Sequence, residues 1–150
     1  MRRCAAKIQV MSNAATAEIP PRILPPLTPL NRPFWTGGAE NQLLILRCQA
    51  CRRWAHPPST ACPECQGPLA PEAVIGKGTV FTFTVNEHPF LPAVPPPYLI
   101  AIVELDEQED LRLPTNLVNC ELDQVSCGMR VRVLFEQHGE VFVPLFEPDS

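Results

Sequence analysis

Two Cys-x-x-Cys pairs, Cys48 with Cys51 and Cys62 with Cys65, are separated by the ten residues 52–61. Two intervening residues let one tight turn aim both sulfurs of a pair at a single point. A second such turn opposite the first completes a tetrahedral four-sulfur site, which Zn²⁺ takes at about 2.3 Å per bond. A redox dithiol would need only one pair beside a βαβ pattern, which the chain lacks. Iron in a rubredoxin-like site uses the same four sulfurs, so spacing alone leaves it open, with zinc preferred. A closed Cys4 site has no position for water or substrate, and the metal is expected to be structural. Pro63 is expected to fix φ within the second knuckle, and Gly67 to adopt a left-handed turn.

The residues around the knuckles read as short extended segments. Residues 42–47 (QLLILR) form a strand entering the first knuckle, residues 53–56 its return, and Pro57-Pro58 a stop. The expected unit is a zinc ribbon, too small to bury a core without the binding energy of its metal. Four cysteines fill the site, so His56 is expected to be a surface or capping residue.

Upstream, residues 1–19 read as a disordered lead-in, and residues 20–33 as an extended proline-dense arm carrying Ile23, Leu24, Leu27 and Leu30. The arm would lie along a partner or back on the barrel. Residues 31–39 suggest one short helical turn, with Phe34 and Trp35 as an apolar anchor and the candidate docking residues. The 19 prolines cluster in the arm, at 57–71 and at 89–97, marking rigid loops. No apolar run reaches the roughly 18 residues of a membrane helix. Lys7 and Gln9 interrupt residues 5–11, which argues against a signal peptide, and Met11 is an alternative start. Knuckle cysteines without an export signal point to the reducing cytoplasm. Cys4, Cys120 and Cys127 read as buried or incidental thiols.

From Gly76 onward the pattern is all-β. Residues 79–85 (TVFTFTV) alternate, with Phe81, Phe83 and Val85 on one face. Residues 98–105 form a more continuous run, and residues 111–118 are broken by Pro114, which marks an edge or a bulge. Residues 129–135 alternate again with Arg130 and Arg132 toward water, and residues 140–146 close the series. Five short strands with turn signals between them argue a small barrel, and the five-stranded Greek-key OB-fold is the natural candidate. Residues 121–125 fit a short helix or loop before the fourth strand. The expected division is an arm at 1–32, a zinc ribbon with a short leading helix at 33–72 and a barrel at 73–150.

In this order the motifs resemble a known family, the acyl-CoA-associated zinc-ribbon/OB-fold proteins. The resemblance runs from about residue 29 to 148. It rests on Pro33-Phe34-Trp35, the two knuckles with Pro57-Pro58 between them, and Gly76-Lys77-Gly78-Thr79-Val80. It continues through Pro97-Tyr98, Val103-Glu104-Leu105-Asp106, Thr115-Asn116-Leu117-Val118, Gly128-Met129-Arg130-Val131 and Pro144-Leu145-Phe146. The chain departs from the pattern at Arg52, where the family often has glycine, and at Ser59-Thr60, where an arginine often follows the prolines. The resemblance implies a non-catalytic subunit of a thiolase-fold complex acting on acyl-CoA, with thiolase, acyl-transfer or steroid side-chain aldolase chemistry in the partner. It also implies a hetero-oligomer, expected to be a heterotetramer.

The residues agree with a chain that has no catalytic set. His88 and His138 are read as loop residues without a nucleophile, and Cys120 and Cys127 lack an activating neighbour. The rival class is a nucleic-acid-binding ribbon and barrel. Charge argues against it: residues 1–75 hold eight Lys/Arg against four Asp/Glu, but residues 76–150 hold four against twelve. Phosphates would be repelled from the barrel. Arg47, Arg52 and Arg53 beside Trp54 make a small cationic patch, either solvated or paired with the phosphates of coenzyme A.

Overall fold

A computed structural model describes residues 22–150; the expected lead-in at 1–19 and Cys4 lie outside the described residues. The elements are α1 (Arg32–Thr36), a 3-10 turn (Gly37–Glu40), β1 (Leu43–Cys48), β2 (Trp54–Ala55), β3 (Leu69–Val74), β4 (Lys77–Asn86) and β5 (Tyr98–Leu105). They continue with β6 (Arg112–Thr115), a second 3-10 turn (Leu122–Gln124), β7 (Arg130–His138) and β8 (Val141–Pro148). His138 therefore ends a strand rather than lying on the loop expected for it.

The short helix starts where Pro33 can occupy the first turn without losing a bonded N–H. It stops at the Gly37-Gly38 turn, whose backbone packs where side chains would not fit. A Cβ on Gly38 would lie 2.4 Å from the Phe142 Cβ. Phe34 is buried, and its ring meets Trp35 edge-on at 4.8 Å.

β1 is the middle strand of a three-stranded antiparallel sheet in the order β2-β1-β3. Its alternate residues Leu43 and Ile45 are about 1% exposed and supply the inward face. β3 was not legible in the sequence, because Leu69-Ala70-Pro71-Glu72-Ala73-Val74 contains a proline and two alanines. It pairs with β1 along all six residues, and Pro71 is tolerated because β3 is an edge.

The second sheet runs β6-β5-β4-β7-β8, all antiparallel. A parallel bridge between Leu117, just past β6, and Phe146 on β8 brings the outer strands together into a nearly closed five-stranded barrel. This is the OB-fold expected, with β6 at the sheet edge and Pro114 exposed on it. A bulge between Val80 and Thr82 turns Phe81 outward, so Phe81 leaves the face shared by Phe83 and Val85. Its ring is covered by the Arg112 guanidinium at 3.6 Å.

The two sheets share one core. Phe34, Leu43, Ile45, Trp54 and Val74 belong to the same buried cluster as Val80, Val103, Leu105, Val131 and Phe146. The Gln108 side chain clamps the join, accepting from the Trp54 backbone N–H at 2.9 Å and donating to its carbonyl at 3.2 Å.

The Gly76-Lys77-Gly78 turn explains two glycines separately. Gly76 has φ +78, in the left-handed region that disfavours a side chain. Gly78 pairs with Leu105, and a Cβ there would lie 2.2 Å from the Glu104 carbonyl oxygen. Backbone cannot rotate away as a side chain can. Replacing Gly78 by alanine is expected to cost at least about 3 kcal/mol, the upper end for overpacking. Chemical denaturation read by fluorescence checks this, and wild-type stability would contradict it.

Candidate metal centre and neighbouring surfaces

The knuckles bring Cys48, Cys51, Cys62 and Cys65 together, with all four sulfurs within 4.8 Å of one another. The Cys48 and Cys65 sulfurs are 3.5 Å apart, and those of Cys51 and Cys62 are 3.6 Å apart. A tetrahedron with 2.3 Å bonds has an edge of about 3.8 Å, so the set fits a zinc ion. Cys48 and Cys62 are fully buried, while Cys51 and Cys65 are exposed.

The backbone is shaped to hold thiolates. The N–H groups of Cys51 and Ala50 each point at the Cys48 sulfur, 3.4 Å away. The Cys51 bond is the main cause that lowers the Cys48 thiol to about 6. At Cys51 a backbone bond involving Arg53 favours the thiolate. Desolvation and the thiols of Cys65, Cys48 and Cys62 outweigh it, pushing Cys51 up to about 12. The sulfurs thus resist sharing negative charge, which a divalent cation would relieve. When bound, zinc would tie the two knuckles together; all four positions are protein sulfur, so it supplies structure rather than Lewis-acid chemistry.

The positive φ of the second knuckle falls on Gln66 (φ 60), not on Gly67 as expected. Gly67 is needed for closeness instead: a Cβ there would lie 3.1 Å from the sulfurs of both Cys48 and Cys65. In the first knuckle the left-handed residue is Arg52 (φ 64), the position where the family often has glycine. His56 is half-buried, with its ring 5.0 Å from that of Phe34, and burial lowers its pKa. It packs the ribbon against α1 rather than capping a surface.

The structure brings Arg47 and Arg52 together on Glu72, with Trp54 beneath Arg47. Arg47 stacks over the Trp54 ring at 4.7 Å and pairs with Glu72 at 3.2 Å, and Arg52 pairs with the same carboxylate at 3.0 Å. A bond from Gln49 leads the causes that hold Glu72 below the usual carboxylate range, with Arg47 and Arg52 adding to it. Arg53 stands apart on Glu64, at 3.5 Å. The barrel cations are paired as well: Lys77 with Asp149, Arg112 with Glu104 and Asp110, Arg130 with Asp106, and Arg132 with Glu147. Arg22 pairs with Glu136 and Arg32 with Glu140. Every lysine and arginine among the described residues therefore has a carboxylate partner.

Phe34 faces the shared core, whereas Trp35 lines a groove of about 1170 Å³ that the sequence did not reveal. One wall is the proline arm, at Arg22, Ile23 and Pro25. The others are the 91–98 segment and residues 114–122 at the barrel edge. The arm thus returns onto the barrel. Arg22 donates to Asn116 at 3.0 Å as well as to Glu136, and Glu136 also meets the His138 ring at 2.7 Å. Burial opposes ionisation of Glu136, but the bonds from Arg22 and His138 outweigh it and keep its pKa low. Cys120 also lines the groove; burial and then Glu121 raise its thiol, which leaves it a poor nucleophile at neutral pH. Cys127 is exposed.

Residues 35–71 match the family profile described as the ChsH2 rubredoxin-like zinc ribbon domain, and residues 72–136 the ChsH2 C-terminal OB-fold domain. A DUF35 domain-containing scaffold protein of Methanocaldococcus jannaschii is 33% identical over 107 residues, covering 69% of this chain and 74% of its own length. The chain belongs to the DUF35 family. The family's zinc ribbon accounts for the four-cysteine cluster, whose cofactor is a structural zinc ion. A probable enoyl-CoA hydratase alpha subunit of Thermomonospora curvata is 39% identical over 134 residues. That match covers 85% of this chain but 41% of the relative, so this DUF35 chain spans about two fifths of the relative's length. Among solved structures, a chain of the Ltp2-ChsH2(DUF35) aldolase has a TM-score of 0.75 and 34% identity, over 83% of this chain and 98% of that one. No helix among the described residues is long and apolar enough to cross a membrane.

Proposed function

We propose that this chain is an accessory subunit that assembles with a thiolase-fold enzyme acting on acyl-CoA thioesters. Retro-aldol cleavage of a β-hydroxyacyl-CoA, as in steroid side-chain degradation, is the favoured reaction of the pair. The observation that carries the reading is the match to the DUF35 chain of the Ltp2-ChsH2 aldolase over 98% of that chain. The described histidines fit this reading: the His138 ring bonds Glu136, His56 packs on Phe34 and His88 lies beside Phe90. A nucleic-acid role is disfavoured because the barrel half, residues 76–150, holds twelve Asp/Glu against four Lys/Arg, which repels a phosphate backbone.

Tagged chain purified from its own cells is expected to bring down a thiolase-fold protein in near-stoichiometric amount, identified by mass spectrometry. Ribosomal or transcription components that leave at high salt would contradict the reading.

Arg52 and Arg53 are the residues proposed to reach the phosphates at the adenosine end of coenzyme A. Both are exposed, and the Arg53–Glu64 pair at 3.5 Å is a solvent-exposed one, of the weak kind that a phosphate can displace. Arg47 and Trp54 would support them as a stacked, Glu72-anchored platform. Replacing both Arg52 and Arg53 by alanine is expected to weaken acyl-CoA binding to the assembled pair about tenfold, with zinc content unchanged. Unaltered affinity would remove the ligand role and leave assembly intact.

A further inference from the structure

We propose that the groove between the proline arm and the barrel seats a segment of the thiolase-fold partner, an apolar stretch flanked by lysine or arginine. This rests on the accessory-subunit reading and names the surface it uses. Three observations carry it, and the first is shape and polarity. The groove of about 1170 Å³ is lined by Ile23, Trp35, Leu91, Leu99, Ile100 and Leu117 among others. Beside it Phe90 is 73% exposed, at the tip of the loop joining β4 to β5. An exposed aromatic next to an open apolar groove is the kind of surface that a partner covers.

The second observation is stiffness. Pro89, Pro92, Pro95, Pro96 and Pro97 fix the backbone φ through the loop that carries Phe90 and Leu91. Docking against such a loop loses little conformational freedom, which favours a tip built to be inserted or covered.

The third observation is charge, and it selects the occupant. Glu136 inside the groove is neutralised by Arg22. Glu121 on the lining, Asp123 just beyond it and Glu87 at the loop entrance are exposed and have no basic partner among the described residues. A bare acyl chain would leave these acids unanswered, and the phosphates of coenzyme A would be repelled. A second copy of this chain offers no described cation that is not already paired. A partner segment with basic flanks answers both the apolar floor and the acidic rim.

The test uses full-length zinc-loaded chain and the purified thiolase-fold subunit that co-purifies with it, with affinity measured by calorimetry at about 50 and about 300 mM salt. Wild-type affinity is expected to fall as salt rises. The double variant Glu121→Lys/Asp123→Lys is expected to bind at least tenfold more weakly and to lose most of that salt dependence. Ile100→Ser, on the groove wall, is expected to weaken binding severalfold at both salts. Glu109→Lys, an unpaired acid outside the groove, should stay within twofold of wild type. Zinc content and thermal unfolding confirm that each variant is folded. If rim and wall variants bind like wild type, the partner docks elsewhere and the accessory reading survives. If the groove variants instead lose acyl-CoA binding in the absence of partner, the groove is a ligand site and the inference is overturned. If wild type binds no thiolase-fold subunit, both readings fall.

Discussion

Replacing Cys62 by serine is expected to reduce bound zinc from one ion per chain to near zero and to unfold the knuckles. Cys62 is fully buried, and its sulfur is 3.6 Å from that of Cys51, so no water-exposed donor can substitute for it without reopening the site. Zinc binding in small ribbons contributes about 10–16 kcal/mol at neutral pH, comparable to or larger than the whole stability of an ordinary domain. The consequence extends beyond the loop. Residues flanking the first knuckle, Ile45 and Trp54, sit in the cluster that also contains Val80 and Val103, so loss of the metal loosens the join to the barrel. Metal analysis and thermal unfolding check this directly. Cys127→Ser is the control: Cys127 is exposed and lies outside the cluster, so that variant should keep its full zinc. Equal zinc in both variants would exclude Cys62 as a ligand.

Phe146→Ala is expected to be the most damaging single change in the barrel. The ring is fully buried on β8. Its backbone carries part of the closure as well, donating to the Asn116 carbonyl at 3.2 Å and accepting from the Val118 N–H at 2.9 Å. Those bonds survive truncation, so the loss comes from the ring and the cavity it leaves. Phe→Ala in a close-packed core costs about 3–5 kcal/mol, which lowers the melting temperature by roughly 10 °C or more in a domain of this size. A shift below a few degrees would contradict this.

Much of this architecture is written in local pattern. The bounds of β5 are legible because its apolar run ends sharply at the prolines before Tyr98 and at the acidic turn after Leu105. The cysteine spacing defined the metal cluster because two-residue knuckles leave the sulfurs few other places to go. What escaped was set by distant partners. β3 has no strand-like composition and exists because β1 offers it six positions of pairing. Phe81 left its expected face because a bulge intervenes, and a bulge has no signature in an alternating run. The pairing of every described cation could not be read either: Arg22 meets Glu136 across 114 residues of sequence, and Arg112 covers Phe81 from a different strand. The groove is assembled from segments far apart in the chain, so no stretch of sequence announces it.

Acyl-CoA turnover by the purified chain, by its purified thiolase-fold partner and by the two combined tests the central claim most directly. An accessory subunit without catalytic groups should show no turnover alone and should raise the partner's activity when the two are combined. Turnover of an acyl-CoA by this chain alone would contradict the account.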